Sequence, residues 1–288
     1  MGRSSNLKMI VREFKQDKTA TVFFLSLTLL IAVIFVWAAC LDTNKIMTVD
    51  ILNQYAPPGK DGMLLGSEQG GRNILYLLVV GTRNSLSIGF AVTLLSQVIG
   101  ISFGLIAGYY GGKVDNAMMR FLDFMMTLPM LMLIIVIVSI IPNYSMTSFV
   151  LIMSAFYWIG TARLIRSRTL AEANKEYILA SKTLGTSDLV IIFRELLPNL
   201  SSLIIVEAIL NLTSNIGIEV GLSFLGFGLP ESVPSLGTLI GYAQEPEILT
   251  GKIWVWLPAA LLILFFCVGF SYIGNVIRRA FDARQRLG

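Results

Sequence analysis

The sequence predicts an all-α integral membrane protein with six transmembrane helices and both termini cytoplasmic. Three observations carry this. Hydrophobic residues fill 55% of 288 positions and charged residues only 14%, so most of the chain has no polar face to offer water. The apolar residues gather in six runs of membrane-spanning character. With the loops assigned alternately to two sides, 17 of the 22 Lys and Arg residues fall on one side and five on the other, an excess that marks the cytoplasm. The net charge of +4 is then a matter of orientation, and no basic, aromatic-rich patch suggests nucleic acid.

Residues 1–19 form a polar cytoplasmic segment containing Arg3, Lys8, Arg12, Lys15 and Lys18. Residues 20–40 carry no charge, and at about 1.5 Å per residue they cross a hydrocarbon layer of roughly 30 Å. Residues 41–84 are the longest polar stretch and lie outside. The second span, 85–110, carries Gly100, Gly104 and Gly108 at four-residue spacing, the pattern that lets helix backbones approach closely in lipid. A short inner turn leads to the third span at 122–141. Pro142 to Ser145 caps it outside, with a sequon at Asn143. The fourth span covers 147–162, the fifth 200–224 and the sixth 253–272. An outer loop at 225–252 separates the last two, and 273–288 is a cytoplasmic tail.

Between the fourth and fifth spans, residues 163–199 form a charged cytoplasmic loop. Ala173, Tyr177, Ala180 and Leu184 fall on one helical stripe, with Glu172, Lys175, Glu176 and Lys182 off it. Gly185 then stands where a left-handed C′ residue ends a helix, and Thr186, Ser187 and Asp188 offer N-caps for another. The reading is helix, glycine turn, helix. The fifth span is the most polar: Glu207, Asn211, Asn215 and Glu219 are four apart and share one broad sector of the helix. Ionisable groups in a bilayer cost several kcal/mol unless they face protein or water. This face is therefore expected to line a polar path. The alternative is that the carboxylates sit near the interfaces while the asparagines bond a neighbouring helix.

Composition also excludes. There is no histidine, and Cys40 and Cys267 lie in apolar stretches. A disulfide framework, a histidine-containing metal site and histidine-based catalysis are all ruled out, and no catalytic or metal-binding residue is assigned. No GxxxxGK[ST] loop occurs to cradle a nucleotide phosphate.

Four motifs resemble one known family. Glu176-Tyr177, Ala180-Ser181, Gly185, Ile191 and Leu197-Pro198-Asn199 are similar to the "EAA" loop of bacterial ABC importer permeases, which docks on the ATPase subunit. Ser181 stands where a second alanine is common, and Glu195 where a basic residue or His often occurs. Leu65-Gly66-Ser67-Glu68 with Gly71-Arg72-Asn73 resembles the "LGTDxxGRD" motif of the dipeptide, oligopeptide and nickel permeases. Gly221 to Gly228 resembles their "LSFLGxG" signature, and Gly274 to Arg284 their closing tail. The chain is most like the C-type oligopeptide members.

The resemblance implies a type I ABC importer permease fold in a bacterial plasma membrane. It implies a second homologous permease, two ATP-binding subunits and an extracytoplasmic substrate-binding protein as partners. ATP and Mg²⁺ would sit on the ATP-binding subunits and no cofactor on this chain, which is expected not to be an enzyme. Glu176, Tyr177, Ala180, Ser181, Gly185, Leu197 and Pro198 would couple to the ATPase. Glu207, Asn211, Asn215 and Glu219 would line the translocation path, and Leu65, Gly66, Gly71 and Arg72 would shape the outer loop that meets the binding protein. A rival reading is a secondary transporter using Glu207 and Glu219 as a proton or cation relay.

Overall fold

The computed structural model describes residues 12–142, 144–230 and 232–285. Arg3 and Lys8, Asn143 of the sequon, and residues 286–288 of the tail lie outside them. Among the described residues the regular structure is helical, with one isolated antiparallel bridge, Ser67 to Asn73. Helix α1 is Lys18–Cys40, capped by Asp17, which accepts a 3.1 Å hydrogen bond from the Ala20 amide.

Helix α2, Ile74–Tyr110, has 37 residues and begins eleven positions before the expected second span. Asn73 caps it, accepting from the Leu75 amide at 2.9 Å. The polar residues that made Ile74–Asn84 look like loop are accommodated within the helix. Thr82 bonds back to the Leu78 carbonyl at 2.7 Å, and Asn84 donates to the Pro234 carbonyl at 2.8 Å.

The expected third span is broken. Helices α3, Gly112–Thr127, and α4, Met130–Ile140, meet at 74°. Pro129 explains the bend, since it cannot donate to the preceding turn and drives Leu128 out of the helical region. Helices α5, Met146–Phe156, and α6, Ile159–Ala173, form the fourth crossing. Helix α6 continues eleven residues past the expected end at Ala162, so Arg163, Arg166 and Arg168 sit on a helix rather than in a loop. Helix α7 is Glu176–Thr183.

From Asp188 the chain is helical without interruption to Phe224: one turn, a π-helical stretch at Ile191–Leu196, then α8, Leu197–Phe224. The expected boundary between loop and fifth span at residue 199 is absent. Helix α9, Leu257–Gln285, starts after a short 3₁₀ turn at Ile253–Val255 and runs well past the expected end at Tyr272. Five of these stretches are long and apolar enough to cross a membrane, and counting the bent α3–α4 pair as one makes six.

Helix α2 is the centre of the packing. Ideal Cβ atoms on Gly100, Gly104 and Gly108 would lie 2.7 Å from the carbonyl oxygens of Trp158, Ala162 and Arg166, so α2 and α6 touch backbone to backbone. That contact brings the Arg166 guanidinium onto Asp115 of α3, its Nε 2.8 Å from Oδ1. Gly217 of α8 has open space where its Cβ would go. Gly104→Ala should therefore cost about 1–3 kcal/mol by overpacking, whereas Gly217→Ala should be neutral or slightly stabilising, because alanine is favoured over glycine in a helix by about 1 kcal/mol. Unfolding midpoints in detergent check this, and equal midpoints for the two variants would refute the seam.

Candidate functional site

The segment between α6 and α8 is built by local rules. Asn174 ends α6, its Nδ2 donating to the Leu170 carbonyl at 2.8 Å. Lys175 is extended, and α7 starts in a new direction. Ala173 therefore joins the core under α6 instead of extending the expected stripe, and Ile178 is the α7 residue that is buried. Tyr177, Ala180 and Leu184 face outward. At the far end the Gly185 amide donates to the Lys182 carbonyl at 3.0 Å and the Thr186 amide to the Ser181 carbonyl at 3.1 Å, a Schellman closure. Gly185 has φ +78° with nothing near its missing Cβ, so backbone conformation rather than space demands glycine here.

Two tyrosines fix this segment to the helices. The Tyr177 hydroxyl donates to Glu172 at 2.8 Å and accepts from Asn199 Nδ2 at 2.8 Å, tying the start of the motif to its Leu-Pro-Asn end. Burial and then Glu172 push the Tyr177 phenol up to about 12, so it keeps the proton it donates. The Tyr109 hydroxyl at the inner end of α2 donates to Asp188 at 2.6 Å, and Lys182 Nζ lies 4.3 Å from the same ring. Neither Tyr109 nor Asp188 was singled out from the sequence as an anchor, because their 79-residue separation hides the pairing.

Pro198 sits inside the long helical run. In an α-helix its ring would strike the carbonyl four residues back. Here the preceding turn widens to π spacing, with the Leu197 amide donating to the Ile192 carbonyl five residues earlier. Ile191, Ile192 and Leu196 are buried with Leu105, Ile165 and Ile178, while Leu184, Leu189 and Phe193 are 84%, 65% and 61% exposed. One side is bolted to the bundle, and the other leaves these large apolar side chains exposed, as Glu176 is at the start of α7. Glu195 lies within the π turn, one of its carboxylate oxygens buried without a hydrogen-bond partner.

The polar sector of α8 places its four residues in different surroundings, with both asparagines bonded to neighbouring helices. Glu207 lines a cavity of about 440 Å³ at the inner end, shared with Arg168, Lys175, Arg278 and apolar residues of α8. Asn211 donates to Thr161 of α6 at 3.0 Å and to Glu207 at 3.3 Å. Asn215 donates to Thr93 of α2 at 2.9 Å. Glu219 is completely buried. Three of the four residues turn inward because their polar atoms find partners on α2, α6 and α8 itself, which is cheaper than facing lipid. Glu207 and Glu219 are three helical turns apart, with the amides between them already engaged.

At the outer end, the Leu65–Arg72 motif is a closed knot. Ideal Cβ atoms on Gly66 and Gly71 would lie 2.4 Å from the Ala56 carbonyl and 1.8 Å from that of Asp50. Leu65 packs against the cluster that includes Ile74 and Leu236. Its hub is Glu68, fully buried. Oε1 accepts from the Arg72 amide at 3.1 Å and Nε at 2.8 Å, and Oε2 from the Gly70 amide at 2.8 Å and the Tyr242 hydroxyl at 2.9 Å. Sequence inspection registered Glu68 only as a variant motif position, because Tyr242 lies 174 residues away. Glu68→Ala leaves Arg72 and a backbone amide without their acceptor and should cost about 3–5 kcal/mol. Glu68→Gln should cost visibly less, and unfolding in detergent distinguishes the two.

Comparisons with known proteins agree with this architecture. The family model described as binding-protein-dependent transport system inner membrane component matches residues 100–287. The oligopeptide transport system permease protein OppC of Lactococcus lactis subsp. lactis (strain IL1403) is 48% identical over 276 residues, covering 96% of this chain and 94% of that one. OppC of Bacillus subtilis (strain 168) is 32% identical, covering 95% and 88%. The dipeptide transport system permease protein DppC of Haemophilus influenzae is 32% identical, covering 95% and 93%. A chain from a solved inward-facing MetNI methionine ABC transporter superposes with a TM-score of 0.56 at 18% identity, covering 72% of this chain and 97% of that one, which shows the type I importer fold. The chain is thus a multi-pass plasma-membrane protein and belongs to the inner-membrane components of binding-protein-dependent transport systems, the permease family of ABC importers.

Proposed function

We propose that this chain is one permease subunit of an ATP-driven oligopeptide importer, and that the segment from Glu176 to Pro198 receives a cytoplasmic ATP-binding subunit. The observation that carries the coupling role is the exposed apolar face of Leu184, Leu189 and Phe193. Leu189 and Phe193 lie on a stretch that is helical without interruption from Asp188 to Phe224, and Leu184 sits just before it, at the Gly185 turn. A patch of that kind marks a protein contact. A push on it reaches α8 without crossing a flexible joint.

Relatives named as oligopeptide permeases support the substrate class. The working assembly contains a second homologous permease, two ATP-binding subunits that carry ATP and Mg²⁺, and an extracytoplasmic binding protein that meets the outer segments 42–83 and 226–252. In this reading Glu176, Tyr177, Ala180, Ser181 and Gly185 form or shape the docking helix, and Leu197-Pro198 transmits its movement. Of the polar sector, Glu207 with its cavity stands on the translocation path. Coupling is reciprocal in binding terms: substrate-loaded binding protein outside favours the ATP-closed dimer inside. Secondary transport through a Glu207–Glu219 relay has no support in family or geometry.

Gly185→Arg places bulk and charge at the turn. It is expected to abolish ATPase stimulation by substrate-loaded binding protein while the subunit still inserts in the membrane. Gly185→Ala only forces a Cβ into the left-handed region, at about 1–2 kcal/mol, and is expected to weaken stimulation partially. ATPase assays on the reconstituted transporter read both, and normal stimulation in Gly185→Arg would reject the docking role.

A further inference from the structure

Glu219 is the most enclosed ionisable side chain of α8, and the translocation reading does not use it. Its exposure is 0%, and no ion pair among the described residues involves it. Its surroundings are hydroxyls from three separate pieces of chain. Ser223, one turn later on α8, donates to Oε1 at 2.9 Å. The second oxygen, Oε2, is buried and makes no hydrogen bond, yet the hydroxyls of Ser85 on α2 and Ser235 in the outer loop adjoin the carboxyl. Both serine oxygens are already engaged as acceptors, Ser85 from the Leu236 amide and Ser235 from the Thr238 amide, each at 3.1 Å. Each hydroxyl therefore has a proton to place, and Oε2 is the buried acceptor beside them.

The backbone around this point is closely fitted. Ser235 and Thr238 form a capping box that starts the short helix Leu236–Gly241. An ideal Cβ on Gly237 would lie 2.4 Å from the Ser223 side chain, and one on Gly81 would lie 3.0 Å from the Ser235 backbone. Beside them Asn84 holds the Pro234 carbonyl. Elements distant in sequence thus converge on one carboxyl group.

We infer that Glu219 is a positioning residue, a hydrogen-bonding pin that holds the outer segment 233–241 onto α2 and α8 by joining the hydroxyls of Ser85, Ser223 and Ser235. The pin works through hydrogen-bonding capacity rather than charge, since its neighbours are hydroxyls that both donate and accept. A glutamine carboxamide keeps one acceptor oxygen and can donate to the remaining lone pairs of the serine oxygens, whereas a side chain without polar atoms leaves the Ser223 hydroxyl without its acceptor and the other two without a polar neighbour to bond. That this segment helps to receive the binding protein rests on the function proposed above; the pin itself does not.

The test uses the assembled transporter with Cys40 and Cys267 replaced by alanine and the buried Leu239 (2% exposed) replaced by cysteine as reporter. Glu219→Ala should raise the labelling rate of that cysteine by a membrane-impermeant maleimide at least about tenfold, and Glu219→Gln should leave it within about twofold of the parent. Unchanged labelling in Glu219→Ala overturns the pin, as does fast labelling in Glu219→Gln. Should Glu219→Ala fail to assemble, Glu219→Gln decides alone: assembly with parental labelling supports the pin, and rapid labelling refutes it. ATPase stimulation by substrate-loaded binding protein is read in parallel. Faster labelling in Glu219→Ala with full stimulation supports the pin while rejecting the docking role of the outer segment.

Discussion

The backbone contact between α2 and α6 is the interaction on which the other sites depend. Three glycines on one face of α2 let the carbonyls of Trp158, Ala162 and Arg166 approach to distances that any side chain would forbid. In lipid there is little hydrophobic gain in pairing two apolar helices, so close van der Waals contact and interhelical hydrogen bonds must supply the attraction. Once the helices are this close, short side chains can bridge between elements. Thr161 of α6 reaches Asn211, Thr93 of α2 reaches Asn215, and Arg166 reaches Asp115 at the start of α3. The polar face of α8 is held by that pair of helices.

The same scaffold defines what can move. Beneath the coupling segment, Ile178, Ile191, Ile192 and Leu196 pack against Leu105 of α2 and Ile165 of α6, and Tyr109 and Tyr177 tether it by side-chain hydrogen bonds. The segment is a rigid lever and not a loose loop. Beyond the Gly185 turn, its departure from α geometry, the π turn at Ile191–Leu196, is forced by Pro198. It is also where helical hydrogen bonding can change register without breaking the chain's continuity. Glu195 stands within that turn with an unpaired buried oxygen, which makes the turn costlier than an apolar one.

Much of this was legible in the sequence, and the failures share a physical cause. Gly185 was readable because a helix that must stop on a left-handed residue selects glycine, and the small-residue seam because its period matches the helix. Helices run past the expected spans where polar residues are satisfied within or between helices, as at Thr82 and Asn84, since hydropathy counts polarity and cannot see partners. The stripe through Ala173 failed at Asn174, whose side chain caps the preceding helix. The lining role expected for Glu207, Asn211, Asn215 and Glu219 rested on helical spacing alone, which cannot see that Asn211, Asn215 and Glu219 have hydrogen-bond partners within the chain. Thr161 and Thr93, the partners of the two asparagines, lie 50 and 122 positions away, and no local pattern marks them.

Helix α2 links the two ends of the molecule. At 37 residues it extends about 55 Å, more than the hydrocarbon layer requires. At its inner end Tyr109 grips Asp188 of the coupling segment. Its outer half carries Asn84 and Ser85, which hold the loop that follows α8. Helix α8 is tied to the same two places, through the run from Asp188 below and, above, through the close fit of Gly237 against Ser223 and Val220. A displacement at the cytoplasmic end therefore meets two antiparallel helices held together at the top and bottom and by Asn215 to Thr93 between. Such a pair resists bending and transmits rotation as a unit.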